Sequence, residues 1–226
     1  MYVDEHGFRR AGYCDCIAGI RNAMRKTGLP EHYFDCTFDN FTIKIRGKEN
    51  IYLKKAKTVL REFAEFFGLK KEQKGILLKG TIGCGKTHLC AALTRRLIER
   101  GLFNVLFIDF KELLENIKAT FSYGSYFNEQ DILYPIQNTS LLIIDDLGSE
   151  RNTEWTEDVF ARILNYRYNR NLPVVITTNY FDRTVKGALS DELLEERIGA
   201  RMRSRLYEMC RDIEIISEDY RKIIKR

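Results

Sequence analysis

Residues 80–87 read Gly-Thr-Ile-Gly-Cys-Gly-Lys-Thr, and this octet limits the possible folds more than any other stretch. It fits G-x-x-x-x-G-K-[ST] and stands between a short apolar strand pattern, Gly75–Lys79, and a helical one. A strand that turns through glycines into a helix points several backbone N–H groups at one spot, and the start of the helix adds partial positive charge. That arrangement is built for phosphate oxygens. Lys86 adds a full charge for the β- and γ-phosphates, and the hydroxyl of Thr87 is suited to Mg²⁺, which keeps most of its water. The expected ligand of Gly80, Thr81, Ile82, Gly83, Cys84, Gly85, Lys86, Thr87 and His88 is therefore a nucleoside triphosphate, read as ATP with Mg²⁺.

The rest of the chain supplies the sheet that such a loop needs. Ala56, Leu60, Phe63 and Phe67 recur at helical spacing before Gly68, and Leu89, Leu93 and Leu97 line the helix after the loop. Val105–Ile108, Leu141–Ile144 and Val174–Thr177 are further strands, Phe110–Phe121 and the segment around Trp155, Val159 and Ile163 are helices, and Ile213–Ile216 is a last strand. Strands that alternate with helices predict an α/β fold with a parallel sheet between helical layers. Residues 190–206 are expected to be one charged helix on which Arg197, Arg201 and Arg205 share a face.

Two strand ends carry polar groups. Leu141-Leu142-Ile143-Ile144-Asp145-Asp146 ends in paired carboxylates, and parallel sheets bind ligands beyond the carboxyl ends of their strands. Asp145 is assigned the Mg²⁺, through water, and Asp146 the polarising of an attacking water. Val174–Asn179 ends in an amide, Asn179, suited to orienting that water or touching the γ-phosphate, although a strand that simply exits into a turn gives the same string.

Composition excludes little. Lys plus Arg exceed Asp plus Glu by 37 to 32, which allows nucleic acid as a partner without requiring it. No apolar run reaches the roughly 18 residues of a membrane span. Six cysteines, two of them in or beside the phosphate loop, suggest a reducing cytoplasm.

Together the motifs resemble the AAA+ helicase loaders of the DnaC and DnaI kind, and equally the IstB helpers of transposases. GTIGCGKTHL is similar to their phosphate loop, LLIIDDLGSE (141–150) to their Walker B segment, and ITTN (176–179) to their sensor 1. GARMRSRL (199–206) is similar to their box VII, and CTFDNF (36–41) to the segment that borders adenine. The resemblance covers about residues 30–216. It implies an AAA+ P-loop fold with a five-stranded parallel sheet and little or no helical lid, so that a neighbouring subunit closes over the nucleotide. It implies weak ATPase in the monomer and ATP-dependent assembly into a ring or helical oligomer. It further implies that Arg201 is a finger acting on the next subunit, with Arg205 sharing or exchanging the role. The implied partners are single-stranded DNA and the replicative hexameric DNA helicase. An inserted segment, roughly 110–135, carries Phe121, Tyr123, Tyr126 and Phe127 with Lys111 and Lys118, a set suited to stacking bases and holding a backbone, or to packing helices on the core.

Residues 1–35 are expected to be the remnant of an N-terminal, zinc-type helicase-binding region and its linker, 36–216 the ATPase domain, and 217–226 a C-terminal tail. Cys14-Asp15-Cys16 is similar to the later half of a zinc module, but two ligands do not close a four-coordinate site, and His6 is a weak third. Three other functions compete. A transposase helper would share every motif and act on duplex DNA. A small-molecule kinase would leave Asn179 and the arginines unexplained, and an inactive scaffold would not need Lys86, Thr87, Asp145 and Asp146 intact.

Overall fold

The computed structural model describes residues 2–3, 9–10, 15–69, 73–121 and 128–224. Its centre is a five-stranded, all-parallel sheet. The strands are β1 (Gly75–Gly80), β2 (Val105–Asp109), β3 (Leu141–Asp145), β4 (Val174–Thr178) and β5 (Cys210–Ile215), and their order across the sheet is β2-β3-β4-β1-β5. β1, β3 and β4 are buried along their whole length. Their runs of Leu, Ile and Val are the sequence consequence, because a strand covered on both faces cannot alternate.

The helices are α1 (Asp15–Arg25), α2 (Ile51–Phe66), α3 (Lys86–Glu99), α4 (Phe110–Thr120), α5 (Glu129–Asn138), α6 (Glu154–Asn169), α7 (Leu194–Ile198), α8 (Ala200–Met209) and α9 (Tyr220–Ile224). One core joins α1, α2 and α3 to Ile76 and Leu78 of β1, and a second joins α4 to α8 with Leu77. The alternation of β1 residues between the two cores follows from the period of two along a strand. Asn50 starts α2 by accepting from the N–H of Tyr52 and Leu53, as an N-cap does.

Two expectations need correction. The charged helix of 190–206 is two helices, because Gly199 adopts φ +80° between α7 and α8. Only glycine takes that conformation without strain, and a continuous helix cannot. The last strand begins at Cys210, three residues before the apolar pattern suggests. The segments on either side of the ATPase core pack onto it. Met24, Leu29 and Phe34 are buried in the first core, Phe107 of β2 donates its N–H to the Thr27 carbonyl, and residues 217–220 lie on the phosphate loop.

Candidate active site

The octet forms the turn between β1 and α3, and Gly85 takes φ +94° at its tightest point. A Cβ there would also meet the Phe41 ring at 2.7 Å, so glycine is required twice over. Beyond the strand ends lies a cleft of about 500 Å³. Its lining includes Ile82, Gly83, Cys84, Gly85, Lys86, Thr87, His88, Asp145, Asp146 and Asn179, which brings together most of the residues singled out above. Gly80 and Thr81 contribute from behind. The Nζ of Lys86 donates to their carbonyls at 2.9 and 3.0 Å and to Asn179 Oδ1 at 2.7 Å.

The carboxylates occupy distinct settings. Asp145 is buried and accepts from Thr177 Oγ1 at 2.5 Å and from Thr87 Oγ1 at 2.9 Å. Burial pushes its carboxyl above the usual range against those two hydrogen bonds. Asp146 turns out of the sheet with φ +55°, a conformation Asp tolerates better than most residues. Its N–H donates to Thr177 Oγ1 at 2.9 Å and its Oδ1 accepts from Asn179 Nδ2 at 2.5 Å. Burial raises this carboxyl too, with the Lys86 charge opposing and Asp109 adding. Asn179 thus links the lysine of the loop to the second carboxylate.

Thr87 and Asp145 fit Mg²⁺. They place a hydroxyl and a carboxylate, both hard oxygen donors, side by side at the mouth of the phosphate loop. No cluster of three or more His, Cys, Asp or Glu among the described residues is arranged to cage a metal.

The other end of the cleft is apolar. Phe41 meets His88 edge-on at 5.3 Å, and His88 Nε2 lies 3.1 Å from the Thr37 carbonyl. Burial holds this imidazole below its ordinary pKa, against the pull of that carbonyl, so it stays neutral near pH 7. His88 therefore ties residues 37–41 to α3, and Phe41, Ile45 and Leu53 wall the slot.

Asn40, within the 36–41 segment, also lines the cleft, as do Tyr33, Asp109 and Arg221, which were not recognised as site residues in the sequence. Asp109 was recoverable, because β2 also ends in a carboxylate and pairs with Asp145 across the sheet. Arg221 arrives through tertiary structure: Tyr220 N–H bonds to the Gly83 carbonyl, and Thr81 Oγ1 donates to Ser217 O at 2.6 Å. Neither contact has a local sequence sign.

Arg201 and Arg205 do not line this cleft. Both lie on α8, Arg201 exposed and Arg205 half-buried over the Tyr168 ring at 4.9 Å. Arg197, across the break at Gly199, pairs with Glu192 at 2.5 Å and stacks on Tyr180, so it does not share their face. Phe121 is 65% exposed and is not a core anchor. Lys111 pairs with Glu150 at 3.4 Å, and Lys118 lies over Trp155. Tyr123, Tyr126, Phe127, His6, Cys14 and the Cys16 side chain lie outside the described residues.

Residues 51–226 match the family described as IstB-like ATP binding protein. The replicative helicase loader DnaC of Buchnera aphidicola (strain Sg) is 28% identical over 181 residues, 80% of this chain and 70% of that protein. A crystal structure of the DnaC helicase loader has TM-score 0.67 at 30% identity, over 82% of this chain and 99% of the other. A crystal structure of DnaI has TM-score 0.65 at 27% identity, over 82% and 94%. No helix of the described residues is long and apolar enough to cross a membrane.

Proposed function

The chain belongs to the family of IstB-like ATP binding proteins, is an AAA+ ATPase of the DnaC and DnaI type, and on that premise we propose that it is a replicative helicase loader switched by ATP. The observation that carries the loader reading is the match to the DnaC helicase loader across 99% of that structure. In this reading the chain binds single-stranded DNA, assembles with copies of itself, and delivers a hexameric helicase during the initiation of DNA replication in the cytoplasm.

The chemistry follows from the cleft. Loop amides and Lys86 hold the β- and γ-phosphates, and the Phe41 slot takes the base. Thr87 and Asp145 would hold Mg²⁺, which neutralises charge between the phosphates. Asp146 orients and deprotonates the attacking water, and Asn179 holds it in place against Lys86. Arg201, or Arg205 one turn on, reaches from the next subunit toward the γ-phosphate and stabilises the charge of the transition state. In this reading residues 1–35 belong to a helicase-binding region and its linker.

A second reading, a transposase helper on duplex DNA, is favoured by the family description alone. ATP-dependent binding to single-stranded and duplex DNA at two salt concentrations separates the two. A loader prefers the single strand, and the salt slope counts the phosphates contacted. A preference for duplex would reject the loader.

A further inference from the structure

Beneath α8 lies a charged cluster that the hydrolysis chemistry does not use. Lys79 is the last residue of β1 before Gly80, yet its side chain is only 3% exposed. It faces the same side of the sheet as Leu77, and the register sets Asp212 and Glu214 of β5 opposite Leu77 and Lys79. The Nζ of Lys79 donates to Asp182 and, at 2.7 Å, to Asp212. Arg203 comes down onto them from α8, 1% exposed. Its Nε donates to Asp182 Oδ1 at 2.5 Å, and its Nη2 donates to Asp182 Oδ2 at 2.7 Å and to Asp212 Oδ2 at 2.6 Å. Its guanidinium also stacks on Tyr207 at 3.5 Å. Burial alone would raise the Asp182 carboxyl, but the bonds from Arg203 and Lys79 outweigh it and hold the group below the usual range.

The position of this cluster gives it meaning. Lys79 immediately precedes the phosphate loop, and Asp182 follows Asn179 by three residues. On α8, Arg201 and Arg205 are one turn apart, and Arg203, midway between them, faces the opposite way. Met202 and Leu206 hold α8 against the second core, and apolar burial has no direction of its own. A two-pronged guanidinium–carboxylate pair does have one, because both bonds need the same plane. Buried pairs of this kind add little net stability over apolar packing, and their best attested use is to fix register.

We propose that Lys79, Asp182, Asp212 and Arg203 form a clamp that fixes the rotation of α8 and so aims Arg201 and Arg205 at the nucleotide of the next subunit. The proposal rests on the reading that α8 arginines act between subunits. Arg203 is a positioning residue, and through Lys79 and Asp182 the aim of α8 is tied to the strand ends that carry the phosphate loop and Asn179.

The test uses Arg203→Lys, which keeps the charge but not the fork, and the charge-balanced double variant Arg203→Met with Asp182→Asn. Both should melt cooperatively and bind ATP as the unaltered protein does. Hydrolysis should fall by about 100-fold, the scale of a 1 Å misplacement. Each variant is then mixed with excess Lys86→Ala protein, which supplies an unaltered α8 and no working phosphate loop. The mixture should recover hydrolysis, as should a control mixture with Arg201→Ala/Arg205→Ala. Hydrolysis by Arg203→Lys at the unaltered rate would overturn the clamp. So would recovery in the control mixture alone, because the fault would then lie in the variant's own cleft. Failure of the control mixture as well would overturn the action between subunits and the clamp together.

Discussion

The phosphate loop and helix α8 both present basic side chains, and they are built in opposite ways. In the loop, the groups that face the cleft come from consecutive residues, 82–88, and two backbone carbonyls hold Lys86 from inside the same turn. On α8, Arg201, Arg203 and Arg205 alternate in direction, and the inward one is held by carboxylates of β5 and of the segment after β4, which Lys79 of β1 shares. The loop carries its instructions in its own sequence. The helix takes its instructions from outside itself: Asp182 accepts from Arg203 and also from Lys79, 103 positions before it in the chain. The same residue type is therefore a ligand group in one place and a positioning group in another, and spacing alone does not tell which.

The sharpest way to break this contrast is to remove an outward arginine. Arg201→Ala, or Arg205→Ala if that residue is the finger, should reduce hydrolysis by about 10³- to 10⁵-fold while ATP binding by the monomer stays near normal. Phosphate release measured beside nucleotide binding checks this, and loss of binding would mean action within one subunit. On the loop side, Asp146→Asn should cost about 10²- to 10⁴-fold in hydrolysis with assembly on ATP retained. An unaltered rate would assign the water to another group.

A third comparison stays within α8. Arg203→Ala leaves two half-buried carboxylates to Lys79 alone and should destabilise the fold by about 3 kcal/mol, whereas Arg201→Ala should stay within about 0.5 kcal/mol. Denaturant midpoints for both variants measure the difference. Smaller again is Phe121→Ala, expected to weaken single-strand binding by about 1–3 kcal/mol if a base stacks on that exposed ring. Unchanged affinity would remove it from the nucleic-acid surface.

The smallest effect is electrostatic. The Asp182 carboxyl is held below the ordinary value near 3.9, so its contribution to stability is complete above that pH. The contribution disappears as pH falls from there through the lowered value. Asp182→Asn should accordingly flatten the acid side of the stability profile below about pH 4. A profile with the same acid slope would mean that the carboxylate is not held by Arg203 and Lys79.

These differences explain what the sequence disclosed. The sheet was legible because β1, β3 and β4 are covered on both faces and so are continuously apolar. Asp145, Asp146 and Asn179 were legible because they end strands beside the loop. The break at Gly199 was hidden, since Gly-Ala-Arg within a charged, periodic run reads as helix until φ is known. Arg203 was hidden because its burial depends on carboxylates from elsewhere in the chain, and an arginine two residues from other arginines looks solvated. Tyr33 and Arg221 reach the cleft from segments near opposite ends of the sequence, and no pattern local to either signals that meeting.

Everything in the comparison presumes a nucleotide seated on the loop amides and Lys86. Calorimetric titration of ATP with Mg²⁺ into the unaltered protein and into Lys86→Ala tests this directly. Binding should weaken by about 10- to 100-fold in the variant, the worth of a charge-assisted contact to phosphate. Equal affinity in the two proteins, both folded, would place the triphosphate elsewhere and contradict the site.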